Sequence, residues 1–574
     1  MFFNSQGADE NTYDAIVVGT GISGGWAAKE LTEKGLKTLV LERGRMVKHG
    51  DYPTASLDPW DMDYRGQVPA AEIEQHYQKQ SRTGYTIREE SKHWFVKDDE
   101  HPYTEVKRFD WMRGYHMGGR SLMWGRHSYR LSDLDLAANA KDGVAIDWPV
   151  RYAEIAPWYD KVETFAGISG RNEGLSQLPD GQFLPAMELN CAEDHLSKKV
   201  KEKLGWTVTP GRVAHLTSYD PAIHLGTRGA CQYRNRCVRG CPFGGYFSSL
   251  SSTLPVASAT GNMTVRPHSV VYSLIYDANK KRATGVRVRD AETGEEHEFH
   301  AKVIFLCASA LASTYILMNT KTEATPDGLG ASSGALGKYV MDHHFRAGAS
   351  GWHDNWQDKY YKGRKPNGFY VPRIQNLGTA DSKREYLRGF GYQGGSGRAD
   401  WTRGIKELNT TLGADFKDKL LRPGDWSCGM TAFAEMLPDE RNTITLNEEV
   451  RDINDLPTLT MDAANRENEM AMRQEMQDNA AEMLDAAGFK DVSTYDAGSW
   501  PGLGIHEMGT ARMGKSPTSS VLNKHNQVWD APNVYVTDGS FMTSAACVNP
   551  SLTYMAFTAR AADHAVSELK KMNL

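Results

Sequence analysis

Asp14-Ala15-Ile16-Val17-Val18-Gly19-Thr20-Gly21-Ile22-Ser23-Gly24 lies near the start of the chain, and Thr38-Leu39-Val40-Leu41-Glu42 follows soon after. An apolar run, a G-x-G-x-x-G turn, an Ala-containing segment reaching Gly35 and a second apolar run predict strand, tight turn, helix and strand. That order opens a doubly wound α/β sheet. Gly19 permits the turn, Gly21 lets backbone N–H groups approach a pyrophosphate, and Gly24 lets helix and strand pack closely. The helix N-terminus favours the anionic phosphates. Glu42, at the end of the second strand, can accept hydrogen bonds from ribose hydroxyls and repels a 2′-phosphate, which disfavours NADP.

Outward from this segment, residues 53–109 are polar and aromatic without clear period and predict an irregular lobe. Residues 151–166 predict a helix stopped by Gly167. Residues 264–299 read as β-hairpin segments, and residues 303–320 as a strand followed by a helix. The latter stretch approaches the length of a membrane span, but its Ser, Thr and Cys content argues for a place inside the fold. Residues 346–499 mix short strands with a polar helix over 465–487 and contain no phosphate loop, which assigns them to a second domain. A short strand over 533–536 and a closing helix return to the opening pattern.

The 574-residue chain is about four times the ~150 residues of a typical domain, so it can bury a large core and excludes a peptide-sized binding module. With 66 basic against 72 acidic residues it carries a net charge of −6, and no basic excess points to nucleic acid. Its 54 Gly and 14 Trp suit close backbone approach to a large, flat cofactor. Seven cysteines, an odd number of which only three cluster, argue against a secreted disulfide framework and for folding in a reducing compartment. Residues 1–15 show neither a basic region nor a long apolar one, so export would require a signal-bearing partner.

Three further segments carry a resemblance. Gly118-Gly119-Arg120-Ser121-Leu122-Met123-Trp124-Gly125 offers two glycines for close approach and an aromatic wall. Gly504-Ile505-His506-Glu507-Met508-Gly509-Thr510 and, downstream, Val536-Thr537-Asp538-Gly539-Ser540 and Val548-Asn549-Pro550-Ser551-Leu552-Thr553 lie near the C-terminus. Together with the opening glycines, these resemble the glucose-methanol-choline family of flavin oxidoreductases. The resemblance implies a discontinuous Rossmann-like FAD-binding domain of residues 1–345 and 500–574, including the lobe 53–109 and a cysteine loop 231–242, beside a sheet-based substrate domain of residues 346–499.

For the site, it implies that Gly19, Gly21, Gly24, Glu42, Gly118, Gly119, Ser121, Trp124, Val271, Asp538, Asn549 and Thr553 contact FAD. Met123 stands where pyranose oxidases of the family carry a His bonded to the flavin, so non-covalent FAD is expected. His506 corresponds to the active-site base and Asn549 to its partner. A neutral imidazole is matched to a hydroxyl proton near pH 7, and an amide can hold the same oxygen without competing for that proton. His343 and His344 lack such flanks and read as structural. Gln393 and Glu435 are the substrate candidates of the second domain, because sugar hydroxyls need paired polar groups.

Cys231-x5-Cys237-x3-Cys241-Pro242 places three thiols in a loop containing Gly and Arg. A shared metal centre suits them; zinc, or a disulfide plus one free thiol, are the alternatives, although no fourth zinc ligand follows at matching spacing. The spacing resembles that of catalytic subunits of bacterial FAD-dependent sugar dehydrogenases, which implies a [3Fe-4S] cluster. A cluster beside FAD implies one-electron export toward a cytochrome c-type or quinone acceptor, often with a small subunit. The expected activity is oxidation of a sugar or glycoside hydroxyl, with glucoside 3-dehydrogenases as the suggested relatives. An oxygen-using oxidase of the same family and a flavin-binding subunit without turnover are the competing readings.

Overall fold

The computed structural model describes residues 10–359, 367–378, 384–398, 412–421 and 423–574. The Thr12–Val18 strand sits inside an eight-stranded sheet, parallel to Thr38–Leu41 on one side and to Glu296–Leu306 on the other. Met263–Arg266 and Ala531–Val536 extend the parallel block at either end. The hairpin Ser269–Asp277 and Arg282–Asp290 joins antiparallel through Glu296–Leu306. Strands covered on both faces need apolar side chains throughout, and Ala15, Ile16, Val17, Leu39, Val40 and Leu41 are fully buried. Ala27, Ala28 and Leu31 of the Ile22–Glu33 helix meet Ala561, Ala562 and Ala565 of the closing Ser551–Lys570 helix in one cluster with these strands.

The local expectations have direct counterparts. Residues 303–320 divide into the end of the Glu296–Leu306 strand and the helix Ala310–Met318. No helix of the described residues is long and apolar enough to cross a membrane. The Tyr152–Ala166 helix ends at Gly167, whose φ of 71° is the left-handed stop. The lobe 53–109 holds short helical turns, one α-helix, Ala70–His76, and the two-residue strand Thr104–Glu105.

A second, seven-stranded sheet runs in the order Lys490–Asp496, Ala347–His353, Trp426–Glu435, Phe390–Arg398, Phe369–Val371, Thr209–Pro210, with His343–His344 also paired to Trp426–Glu435. Its pairs are antiparallel. Period-two burial along Trp426–Glu435 turns Trp426, Cys428, Met430, Ala432 and Ala434 toward the helices Cys191–Leu204 and Glu467–Ala486. The opposite face, which carries Gln393, turns to the first sheet's cavity. Because Thr209–Pro210, His343–His344 and the Cys191–Leu204 helix belong to this layer, it draws on chain outside 346–499.

Candidate active site

The parallel strands end in register at Val18, Leu41, Leu306 and Val536, so the turns that follow them gather at one edge of the sheet. A cavity of about 490 Å³ opens there, at the carboxyl ends where open α/β sheets bind ligands. Gly19 adopts a φ of 98°, and Gly24 packs so tightly that a Cβ on it would lie 1.9 Å from the Gly19 carbonyl oxygen. Gly21 begins the Ile22–Glu33 helix without a side-chain cap, which leaves first-turn N–H groups facing the cavity. Glu42 accepts from the Gly44 N–H at 2.9 Å and the Thr20 N–H at 3.2 Å, and burial pushes its carboxyl up.

Gly118, at a φ of 85°, donates its N–H to the Thr20 hydroxyl at 2.9 Å and so joins the second glycine loop to the first. Gly119 comes within 3.4 Å of Gly21 by the same measure of an added Cβ. Trp124 lines the cavity and donates its indole N–H to the Phe247 carbonyl at 2.9 Å. Ser121, Val271 and Asp538 also line it. The buried Tyr554 hydroxyl at its wall has no hydrogen-bond partner among the described residues. Narrow glycine cradles, uncapped helix N–H groups, an acidic strand end and an orphaned hydroxyl fit a dinucleotide such as FAD.

At the far end His506 and Asn549 face each other, with Asn549 Nδ2 and His506 Nε2 3.4 Å apart. Gln393 donates its amide to Asn549 Oδ1 at 2.7 Å. The other ring nitrogen of His506 lies 2.8 Å from His343 Nδ1, and His343 Nε2 lies 2.8 Å from the Ala546 carbonyl. Below both imidazoles, Asp342 accepts the backbone N–H of His343 at 2.7 Å, of Gly504 at 2.8 Å and of His506 at 3.1 Å. Burial and the neighbouring Glu507 push Asp342 up to about 7. Desolvation first, then His343, hold His506 well below the ordinary histidine range, and burial brings His343 down to about 4. Arg120 grips Glu507 through two bonds of 2.8 and 3.1 Å, tying the second glycine loop to the segment that carries His506.

The cysteine loop forms a smaller cavity, of about 30 Å³, lined by Cys231, Cys237, Cys241, His215 and Tyr246 among others. All three cysteines are free thiols. Cys231 Sγ accepts the Tyr233 N–H at 3.5 Å and stands 3.7 Å from His215 Nδ1; Cys241 Sγ accepts the Gly245 N–H at 3.4 Å. Val238, inside the loop, lines the large cavity, so the two sites adjoin. The donors have the chemistry an iron–sulfur cluster requires. In this conformation, however, no three His, Cys, Asp or Glu of the described residues form a set that could hold a metal ion.

Several expectations change. His343, which lacks a motif and reads as structural from the sequence, is bonded to the candidate base. His344 does sit in a packed setting, 3.5 Å from Arg473 Nη1. Glu435 does not line the cavity, although alternation along its strand puts it on the same face as Gln393. It is 1% exposed, at the end of the strand, and lies 3.7 Å from Arg388 Nε, so it is closed in beside a buried cation. Thr553 spends its hydroxyl on Tyr159 at 2.8 Å, and the next residue, Tyr554, faces the cavity instead. Gly24 and Gly118 act through packing and a backbone bond rather than by lining. Sequence reasoning missed Arg120, Glu507 and Asp342; the first two lie inside the segments already singled out, and their opposite charges were the available signal.

Profiles for GMC oxidoreductases match residues 13–344 with the N-terminal part of the family and residues 438–558 with its C-terminal part. The chain is 29% identical to a 2-methyl-1,2-propanediol dehydrogenase of Mycolicibacterium austroafricanum, over 96% of this chain and 94% of that one. It is 24% identical to a fructose dehydrogenase large subunit of Gluconobacter japonicus, over 97% and 98% respectively. Its fold is similar to that of an Aspergillus oryzae formate oxidase, with a TM-score of 0.61 at 14% identity, covering 98% of this chain and 99% of that one. The chain therefore belongs to the GMC oxidoreductases, and is an FAD-dependent oxidoreductase acting on CH–OH groups.

Proposed function

We propose that this enzyme oxidises a secondary hydroxyl of a sugar or glycoside, such as the C3 hydroxyl of a glucoside, to a ketone. The observation that carries the reading is the His506–Asn549 pair at the end of the cavity, backed by Gln393. His506 Nε2 takes the hydroxyl proton while Asn549 Nδ2 donates to the same oxygen. FAD, when bound, accepts the hydride of the carbon. The two relatives act, by name, on a diol and on a sugar, which supports a polyhydroxylated substrate. Met123 lines the cavity where a covalent bond to flavin would call for a His, so FAD is held without one.

The finer reading extends to the cysteine loop. Three free thiols around one cavity that adjoins the FAD site support a [3Fe-4S] cluster held by Cys231, Cys237 and Cys241, with a cytochrome c-type acceptor and a small subunit as partners. A screen of sugars and glycosides with an artificial electron acceptor, with product analysis, tests the substrate class. His506→Ala should retain the yellow colour and lose flavin reduction by ~10²-fold or more. An unaffected rate would remove His506 from the chemistry. Iron and sulfide assays with electron paramagnetic resonance test the cluster; zinc without iron, or rapid reoxidation by air with no cluster signal, overturns the relay.

A further inference from the structure

Four hydrogen bonds join Gln393, Asn549, His506, His343 and the Ala546 carbonyl in one line, and the last member fixes the sense of the rest. A backbone carbonyl only accepts, so His343 must carry its proton on Nε2 to bond Ala546 at 2.8 Å. A neutral ring protonated there has a lone pair on Nδ1, so the 2.8 Å contact requires His506 to donate from its Nδ1. His506, neutral in turn, is left with its lone pair on Nε2. The other end agrees independently. Asn549 spends its oxygen on the Gln393 amide, which turns its NH2 toward His506 Nε2. Donation thus runs in one direction from Gln393 to Ala546.

We infer that His343 is a positioning residue: it selects the His506 tautomer whose free lone pair points into the cavity, and Gln393 aligns Asn549 from the opposite side. The inference rests on His506 being the base of the proposed function. The protein enforces the arrangement with geometry that local preference does not supply. Asp342 binds the backbone of both histidines, and a Cβ on Gly504 would lie 2.5 Å from Asp342 Oδ1. Ile505, immediately before His506, is held at a φ of 58°, a conformation costly for a β-branched residue. Burial keeps both rings neutral, as the chain of donors requires.

During turnover the substrate O–H bond breaks and an N–H bond forms on His506 Nε2; bound FAD would supply the acceptor for the hydride of the same carbon. His506 is then a cation whose Nδ1–H already points at the His343 lone pair, so the new charge is shared across a formed hydrogen bond. The opposite tautomer would present an N–H to the substrate hydroxyl and take no proton.

Two substitutions separate positioning from packing. In His343→Asn the amide oxygen can replace the Nδ1 acceptor; in His343→Leu no acceptor remains. Histidine 15N spectra of the FAD-loaded enzyme, with the His506 signal assigned by His506→Gln, should show unprotonated Nε2 in the wild type and in His343→Asn, and a mixed or inverted tautomer in His343→Leu. With the substrate found by the screen, flavin reduction should fall about 10²-fold in His343→Leu with KM little changed, and recover by at least tenfold in His343→Asn. An unchanged His506 tautomer in His343→Leu overturns the inference, as does a rate within threefold of wild type. Equal losses in both variants at wild-type FAD content also overturn it, since that pattern is structural. If His506→Ala keeps its rate, the proposed function itself fails; if only the His343 variants behave as wild type, this inference alone does.

Discussion

His343 shows how a residue with no sequence motif acquires a function from its neighbours. It lies 163 positions before the base it touches, and it is 1% exposed. Its proton affinity is also a statement about stability. The unfolded chain protonates this ring near the ordinary 6.5, while the folded chain resists until about 4. Below 6.5 the unfolded state therefore binds more protons through this residue, and its contribution to stability is lost as pH falls from 6.5 toward 4. His343→Asn removes that dependence. Relative to wild type, the variant should gain stability over this window by up to about 3 kcal/mol, read as a narrowing gap in unfolding midpoints measured between pH 7 and pH 4.5. A constant gap would contradict the assignment of a neutral ring.

Among the elements, the strand–turn–helix at Thr12–Glu33 was legible because its demands are local. Gly24 has no room for a Cβ against the Gly19 carbonyl, so the packing of helix on strand is written into one position. Gly24→Ala should shift that contact, cost about 1–3 kcal/mol and release FAD, measured by thermal melting and by the flavin content after gel filtration. Wild-type flavin retention would show that the turn can relax. The second sheet was less legible. Its short strands and long helix were expected, but its edge strand Thr209–Pro210 and its helix Cys191–Leu204 come from far upstream, and no local pattern announces such pairing. Position along the sheet, not pleat direction, separated the two substrate candidates: both share one face, but Gln393 lines the cavity whereas Glu435, at the end of its strand, is closed in beside Arg388.

Across the whole molecule, the two layers are joined by buried charge as well as apolar contact. Arg388, in the chain leading into the second sheet, donates to Asn139 at 2.7 Å and pairs with Asp142 at 2.9 Å and Glu435 at 3.7 Å. Removing one partner of a buried network leaves the others uncompensated. Arg388→Ala should cost about 3–5 kcal/mol, seen as a lowered unfolding midpoint, and Glu435→Gln should cost less because it deletes a charge and keeps the shape. Both should leave substrate KM within a few-fold at a temperature where the variants are folded. A large KM change in Glu435→Gln without loss of stability would return Glu435 to the substrate site.

The sequence by itself determined the dinucleotide cradle, the acidic end of its second strand, the family, and the roles proposed for His506 and Asn549. Those features are conditions on backbone conformation or short motifs, and each is complete within a few neighbouring residues. Only the tertiary structure decided which nitrogen of His506 is free, what aligns Asn549, and that Arg120 holds Glu507. These depend on side chains separated by up to 387 positions, brought together when two sheets close over one cavity. Hydrogen bonds of that kind take their direction from geometry, which a linear pattern does not carry.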